Sequence, residues 1–291
     1  MNMSHSEVLA KSEPPISLKQ HICECLIVYE SLKKAFERLP ISNSTHFWDI
    51  IRLGIIFHDL GKCHAEFQKM LTGNPSQWYH QRHELFSVPF IDMLDLDDKD
   101  KWLLKMIVAG HHKDFKSLFD LILHSYKSED DYFSLSQAGK LDWDEEVQKL
   151  NTSYIQSILE EFGISLNMDK LILPVELIKK YSRNPINSCE SNFNELVLAA
   201  GALKQCDHSA SAGIYKVNVL EDKHFEFLYN NVWHPYSHQK KASETIGNII
   251  LTAPTGSGKT EASLMWLHEQ MKEFGQGRTF YILPYTASIN A

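Results

Sequence analysis

No two of the five cysteines (Cys23, Cys25, Cys63, Cys189, Cys206) stand as a CxxC pair, and their number is odd. Neither a disulfide framework nor a structural zinc knuckle is therefore expected, and a cytoplasmic, reducing location is the default. No apolar run approaches the roughly 20 residues that span a bilayer, so no membrane partner is expected. Met1 to Lys11 lacks a basic patch followed by an apolar core. That excludes a secretory leader, and residues 1–14 read as a disordered tail. No internal repeat and no low-complexity tract is present. An excess of positive charge is also missing: the formal net charge is −8. This argues against broad non-specific nucleic-acid binding. It does not exclude nucleic acid, because divalent metals in an acidic, histidine-lined cleft supply positive charge that a formal count omits.

What is present is ordinary globular material, 43% hydrophobic and 23% charged over 291 residues. That length accommodates one large domain and part of a second. Apolar residues at three- and four-residue spacing predict helices over Ser17–Arg38, His46–Leu71, His83–Leu94, Trp102–Ala109, Leu118–Tyr126, Trp143–Phe162, Pro174–Tyr181 and Asn192–Ser211. The acidic run Asp95–Asp100 and Gly73–Ser76 read as turn and loop. The character changes after about Gly213. Ile214–Val219 reads as a short strand or linker, Gly247–Thr252 as a strand, Glu261–Glu273 as a helix and Thr279–Leu283 as a second strand. Strand, loop, helix, strand is a βαβ unit, the opening of a parallel sheet. Such a unit cannot cover both faces of its sheet. The chain ending at Ala291 is therefore expected to be truncated, or completed by another polypeptide.

Two sets of residues carry chemistry. The first, in chain order, is His21, His58-Asp59, His83, His111-His112 and Asp207. Polar residues that end the buried helix leading to His58 are costly unless something satisfies them. A metal does so, and imidazole with carboxylate suits Mn, Fe, Co, Ni or Zn better than Ca. His58 and Asp59 point in different directions, so the carboxylate can bridge to a second ion. Two ions about 3.5–4 Å apart hold a phosphodiester and activate a water. Any one of the 15 histidines is more often structural than a ligand; the ordered set carries the argument. His80 competes with His83 for one ligand role. His5, His46, His64, His124, His208, His224, His234, His238 and His268 are given none.

The second set is Ala253-Pro-Thr255-Gly256-Ser257-Gly258-Lys259-Thr260. A glycine-rich turn from strand to helix aims backbone N–H groups at phosphates, with the helix dipole adding to the pull. Lys259 would reach the β- and γ-phosphates of ATP, and Thr260 would ligate Mg²⁺.

His58-Asp59 with Lys62, flanked by His21, His83, His111-His112 and Asp207, resembles the HD phosphohydrolase superfamily. The doubled histidine, with a motor loop behind it, is similar to the CRISPR-associated helicase-nucleases of type I interference systems. The stretch Ala199–Ser211 is similar to the helix that supplies that family's last aspartate. The resemblance implies that His21, His58, Asp59 and Asp207 hold one metal, and that Asp59, His83, His111 and His112 hold the other. It makes Lys62 an electrostatic helper beside the scissile phosphate. Ala253 in place of the first glycine of the loop resembles superfamily 2 helicases. Trp233–Gln239 resembles their glutamine motif, in which Gln239 would contact adenine, and Leu283–Asn290 resembles the following motif that touches the DNA backbone.

The expected fold is thus a mainly α HD-domain helical bundle over residues 15–215, followed by a partial α/β RecA-like (P-loop) domain over 216–291. The implied activity is metal-dependent cleavage of single-stranded DNA by Asp59 and Lys62 with two divalent ions (Mn, Fe, Co or Ni). An RNA-guided CRISPR surveillance complex would recruit the enzyme. Efficient ATP hydrolysis is not expected, since a helicase also needs an acidic motif on a later strand and a second lobe. Two alternatives stay open: a phosphohydrolase of small nucleotides, and an inactive remnant that binds nucleotide or a partner.

Overall fold

The computed structural model describes residues 7–36, 45–79, 81–127, 140–218, 220–229, 234–275 and 279. It is mainly helical, and the chain divides into two compact units. The larger comprises Met1–Lys33 and Ile41–Lys216; the smaller comprises Lys34–Pro40 and Val217–Ala291. No helix among the described residues is long and apolar enough to cross a membrane.

The larger unit begins with an antiparallel hairpin, β1 (Leu9–Ser12) and β2 (Pro15–Ser17). Residues 7–14 are thus not part of a disordered tail as expected. The reason is tertiary. Leu9 donates its N–H to Gln68 Oε1 and accepts from Gln68 Nε2, both at 2.9 Å. Val8 and Ala10 are buried.

Then come α1 (Leu18–Ala35) and α2 (Thr45–Phe57). Ile51, Ile55, Ile56 and Phe57 of α2 are fully buried, each contributing about 1.5–3 kcal/mol. Gly54 lets α2 approach the next long helix closely: a Cβ there would lie 2.8 Å from Ile107 Cδ1. The helix predicted over His46–Leu71 breaks at His58-Asp59. A 3-10 turn follows at Leu60–Cys63, then α3 (Ala65–Leu71). α4 (His83–Ser87) gives way to 3-10 geometry over Val88–Met93, where Pro89 supplies no N–H.

Asp97 caps α5 (Asp98–Ala109) and Asp114 caps α6 (Phe115–Ser125), each accepting from a backbone N–H three residues on. The single helix predicted over Trp143–Phe162 is two, α7 (Trp143–Val147) and α8 (Thr152–Glu161). Their junction bonds instead to the segment behind Asp59. Ala65 N–H donates to Lys149 O at 2.9 Å, and Asn151 N–H to Cys63 O at 3.1 Å. α9 (Val175–Arg183) and α10 (Phe193–Ser211) complete the unit; α10 and α5 flank α2.

The smaller unit has a 3-10 turn (Asp222–Leu228), α11 (Ser237–Ser243) and α12 (Lys259–Phe274). Phe225, Leu228 and Met265 form its buried core. The strands predicted at Ile214–Val219 and Gly247–Thr252 are not formed among the described residues. A strand exists by its ladder, and 247–252 finds none; Ile250 is 98% exposed. Helix side chains hold the backbone that precedes it. Gln270 bonds to Thr245 O and Gly247 N–H, and Trp266 to Gly247 O. Residues 280–283 of the last predicted strand lie outside the described residues, as do all of residues 283–290.

Within the larger unit, His64 ties α3 to α7. It is fully buried, accepts from Glu66 N–H at Nδ1 and donates from Nε2 to Glu146 O at 3.0 Å. Burial pushes its pKa down to about 4. The unfolded chain therefore takes up a proton that the folded one refuses, and stability is lost as pH falls from about 6.5 toward 4. The loss attributable to His64 is about 3 kcal/mol. Urea denaturation at pH 7 and pH 4.5 should show a smaller pH effect for His64→Gln than for the parent; equal pH effects would contradict this account.

Candidate functional site

Five helix ends deliver polar side chains to one buried point in the larger unit. His21 comes from α1, His58 and Asp59 from the turn after α2, His83 from the first position of α4. His111 and His112 come from the turn after α5, and Asp207 from α10. All but His112 are less than 9% exposed. Asp59 stands at the centre. Its Oδ1 lies 3.1 Å from His83 Nε2 and 3.9 Å from His111 Nε2. Its Oδ2 lies 3.3 Å from His58 Nε2, 3.5 Å from His21 Nε2 and 2.6 Å from Lys62 Nζ. Asp207 Oδ1 is 3.2 Å from His21 Nε2. Two groups result: Asp59, His83, His111 and His112; and His21, His58 and Asp207. Within each, one donor atom per residue lies within 4.8 Å of the others.

The local fold fixes which nitrogen faces inward. His58 Nδ1 is 2.8 Å from Ile55 O and His111 Nδ1 is 2.6 Å from Val108 O. A carbonyl only accepts, so both Nδ1 atoms carry the proton and donate. Both Nε2 atoms therefore face the centre of the site; burial keeps the His111 ring neutral, whereas Asp59, against the opposing effect of burial, raises the pKa of His58. His111 Nε2 and His83 Nε2 face each other at 3.3 Å. Although these contacts are close, neither oxygen of Asp59 nor Nε2 of His58 has a properly directed hydrogen bond. The donor atoms aim at shared points rather than at one another. Orphaned buried acceptors of this kind are costly, and the donor set fits a small cation.

The charges agree. Burial opposes ionisation of Asp59, but His58 and Lys62 hold its carboxyl well below the usual range. Burial, helped by His58 and His83, pushes His111 well below the ordinary histidine value; burial and His83 bring His112 to about 4. Neutral imidazole and ionised carboxylate are the forms that ligate metals.

Several contributors carry no sequence signal strong enough to find them. The buried Ser87 hydroxyl accepts from Gly61 N–H at 2.9 Å and shares its own hydrogen between His58 O (2.9 Å) and His83 O (3.1 Å). It thereby locks the His58-Asp59 turn to α4. Glu84, fully buried, pairs with Arg82 at 2.5 Å and places Oε2 3.5 Å from His83 Nδ1. The His83-Glu84 dipeptide was its only sequence trace. Lys62 Nζ also reaches Ala10 O at 3.4 Å. His80, the rival of His83, lies outside the described residues. His208, assigned no role from sequence, lies beside His112 and Asp207.

In the smaller unit, Thr255, Gly256 and Ser257 turn ahead of α12, and Gly256 and Gly258 have positive φ. Gly258 caps α12, and its carbonyl accepts from Gln239 Nε2 at 3.0 Å. A Cβ at Gly258 would meet that nitrogen at 2.2 Å. Gln239 is 1% exposed, and its Oε1 accepts from Tyr236 N–H. Both ends of the amide expected to contact adenine are therefore engaged, the nitrogen by the loop and the oxygen by the N-cap of α11. His238 Nε2 adds a bond to Ser257 O at 2.9 Å. Lys259 Nζ folds back onto Ala253 O and Pro254 O at 3.0 and 2.8 Å. Thr260 begins α12 one residue on and is exposed.

Residues 236–291 match the DEAD/DEAH box helicase family. The chain is also similar to the CRISPR-associated nuclease/helicase Cas3 of Methanothermobacter thermautotrophicus. The two are 24% identical over 94% of this chain. The resemblance drawn from the sequence thus extends along nearly the whole chain. The chain spans 37% of the length of that relative.

A Cβ at Gly61 would lie 2.0 Å from His83 O, a backbone atom with no freedom to yield. Gly61→Ala should separate the Asp59 turn from α4, at a cost of about 1–3 kcal/mol. Chemical denaturation reads the loss; a variant as stable as the parent would contradict this packing.

Proposed function

We propose that the larger unit is an HD-type, metal-dependent nuclease domain acting on single-stranded DNA, joined to the beginning of a RecA-like superfamily 2 helicase lobe. The observation that carries this reading is Asp59. Buried, ionised and without a directed hydrogen bond, it turns one oxygen to each of two histidine groups. His21, His58, Asp59 and Asp207 would hold one ion; Asp59, His83, His111 and His112 would hold the other. Histidine-rich ligation with carboxylates suits Mn, Fe, Co or Ni. When bound, two such ions supply a water of lowered pKa and offset the charge of the phosphodiester.

The chain's own residues do the rest. Ile55 O and Val108 O orient two imidazoles, as outer partners of metal ligands commonly do. Two carboxylates against two divalent ions leave the pocket net positive, suited to a polyanion in a chain whose overall charge is −8. Lys62, beside Asp59 and only slightly exposed, is placed to stabilise charge on a phosphate entering the same pocket.

The similarity to a CRISPR-associated nuclease/helicase and to DEAD/DEAH box helicases supports a role in CRISPR-mediated defence. An RNA-guided surveillance complex would be the recruiting partner, in the cytoplasm. Thr255, Gly256, Ser257, Gly258, Lys259 and Thr260 would take the phosphates of ATP with Mg²⁺. Lys259 would exchange two carbonyls for phosphate oxygens, while Gln239 braces the loop.

Purified chain with Mn²⁺, Co²⁺ or Ni²⁺ should cleave single-stranded DNA, and EDTA should stop it. Asp59→Ala should abolish cleavage and metal retention together, because one carboxylate serves both ions. A folded protein that cuts with no metal, or full activity in Asp59→Ala, would overturn the assignment. Lys259→Ala should leave cleavage of free single strands within about twofold of the parent, since mutations at distant, independent sites do not couple. A large loss there would mean that the phosphate loop takes part in cleavage.

A further inference from the structure

His112, Asp207 and His208 form a third convergence, with one donor atom from each within 4.8 Å of the others. It opens to solvent more than the two inner groups do: His112 and His208 are exposed and only Asp207 is buried. Asp207 is suited to serve two places. Its Oδ1 carries the contacts to His21 (3.2 Å) and Ser211 Oγ (3.4 Å). Its Oδ2 has no hydrogen-bond or ion-pair partner among the described residues. α10 explains the position of His208, which follows Asp207 directly on the same helix and so leaves the bundle where Asp207 enters it.

We propose that His112, Asp207 and His208 hold an additional, weaker divalent cation at the mouth of the site. Two imidazoles and one carboxylate on one side of an ion leave its remaining positions to water or to phosphate oxygens. This arrangement suits the same first-row metals as the inner groups. The inference rests on the proposed two-metal reading, since His112 belongs also to the group of Asp59, His83 and His111, and Asp207 also to that of His21 and His58. The outer ion therefore draws on a ligand of each inner one. Filling it weakens the inner ions' hold, so excess metal inhibits. The outer ion also supplies positive charge at the only solvent-facing edge of these ligand groups among the described residues.

The test is equilibrium Mn²⁺ binding to the full chain, followed by the electron paramagnetic resonance signal of free Mn²⁺, for the parent, His208→Ala and Asp59→Ala. The parent should show tight sites and one weaker site. His208→Ala, a change at an exposed position, should lose only the weaker one. Asp59→Ala should lose the tight ones and retain the weaker. In parallel, cleavage by the parent should fall at millimolar Mn²⁺, and His208→Ala should relieve that fall. Identical binding curves for the parent and His208→Ala would overturn the outer site and leave the inner reading standing. Loss of the tight sites in His208→Ala would overturn it too, by making His208 a ligand of the inner pair. A parent that binds no Mn²⁺ would overturn both readings.

Discussion

The architecture of the larger unit turns on one uncompensated anion. Asp59 is 1% exposed and ionised, and four histidines approach it without completing hydrogen bonds. A carboxylate so placed would ordinarily take up a proton or recruit a fixed positive partner. From within the chain His58 and Lys62 answer that need, Lys62 at 2.6 Å. The neighbouring elements are arranged to keep this charge in place. The apolar end of α2 drives it inward, Ser87 pins its turn to α4, and α1 and α10 close over it with His21 and Asp207.

Several of the surrounding helices are short, and caps and tertiary backbone bonds set their ends more than helix propensity does. This is why the site was legible while the boundaries were not. The seven residues His21, His58, Asp59, His83, His111, His112 and Asp207 are read from the sequence as an ordered set, and the structure brings their side chains together. Their order carried that information because buried ionisable residues are rare without a reason. The breaks at His58-Asp59 and at residues 148–151 had no such marker. Apolar spacing runs through both, and only the pairing of residues 63–65 with 149–151 interrupts it.

The errors have the same origin. Residues 7–14 look structureless alone, since nothing in them shows that Gln68, nearly sixty positions on, will bond to both sides of Leu9. Gly247–Thr252 looks like a strand, yet a strand is a relation between two segments. Among the described residues its neighbours are the side chains of α12. Gln239 was read as an adenine contact; in the structure its buried amide bonds to the glycine loop at Gly258 O. Its hydrogen-bonding capacity was visible in the sequence; the closeness of Gly258, which only a glycine permits, was not.

The hairpin links the chain's beginning to its most costly charge. Termini are usually the first parts of a fold to open. Here the first strand accepts from Lys62 through Ala10 O, and Gln68 clamps Leu9 and the Lys62 carbonyl at once. Local unfolding of nine residues would release the lysine and leave Asp59 with one countercharge fewer. Amide exchange at Leu9 and at Lys62 would then report one cooperative event, and the edge of the fold would share its lifetime with the centre.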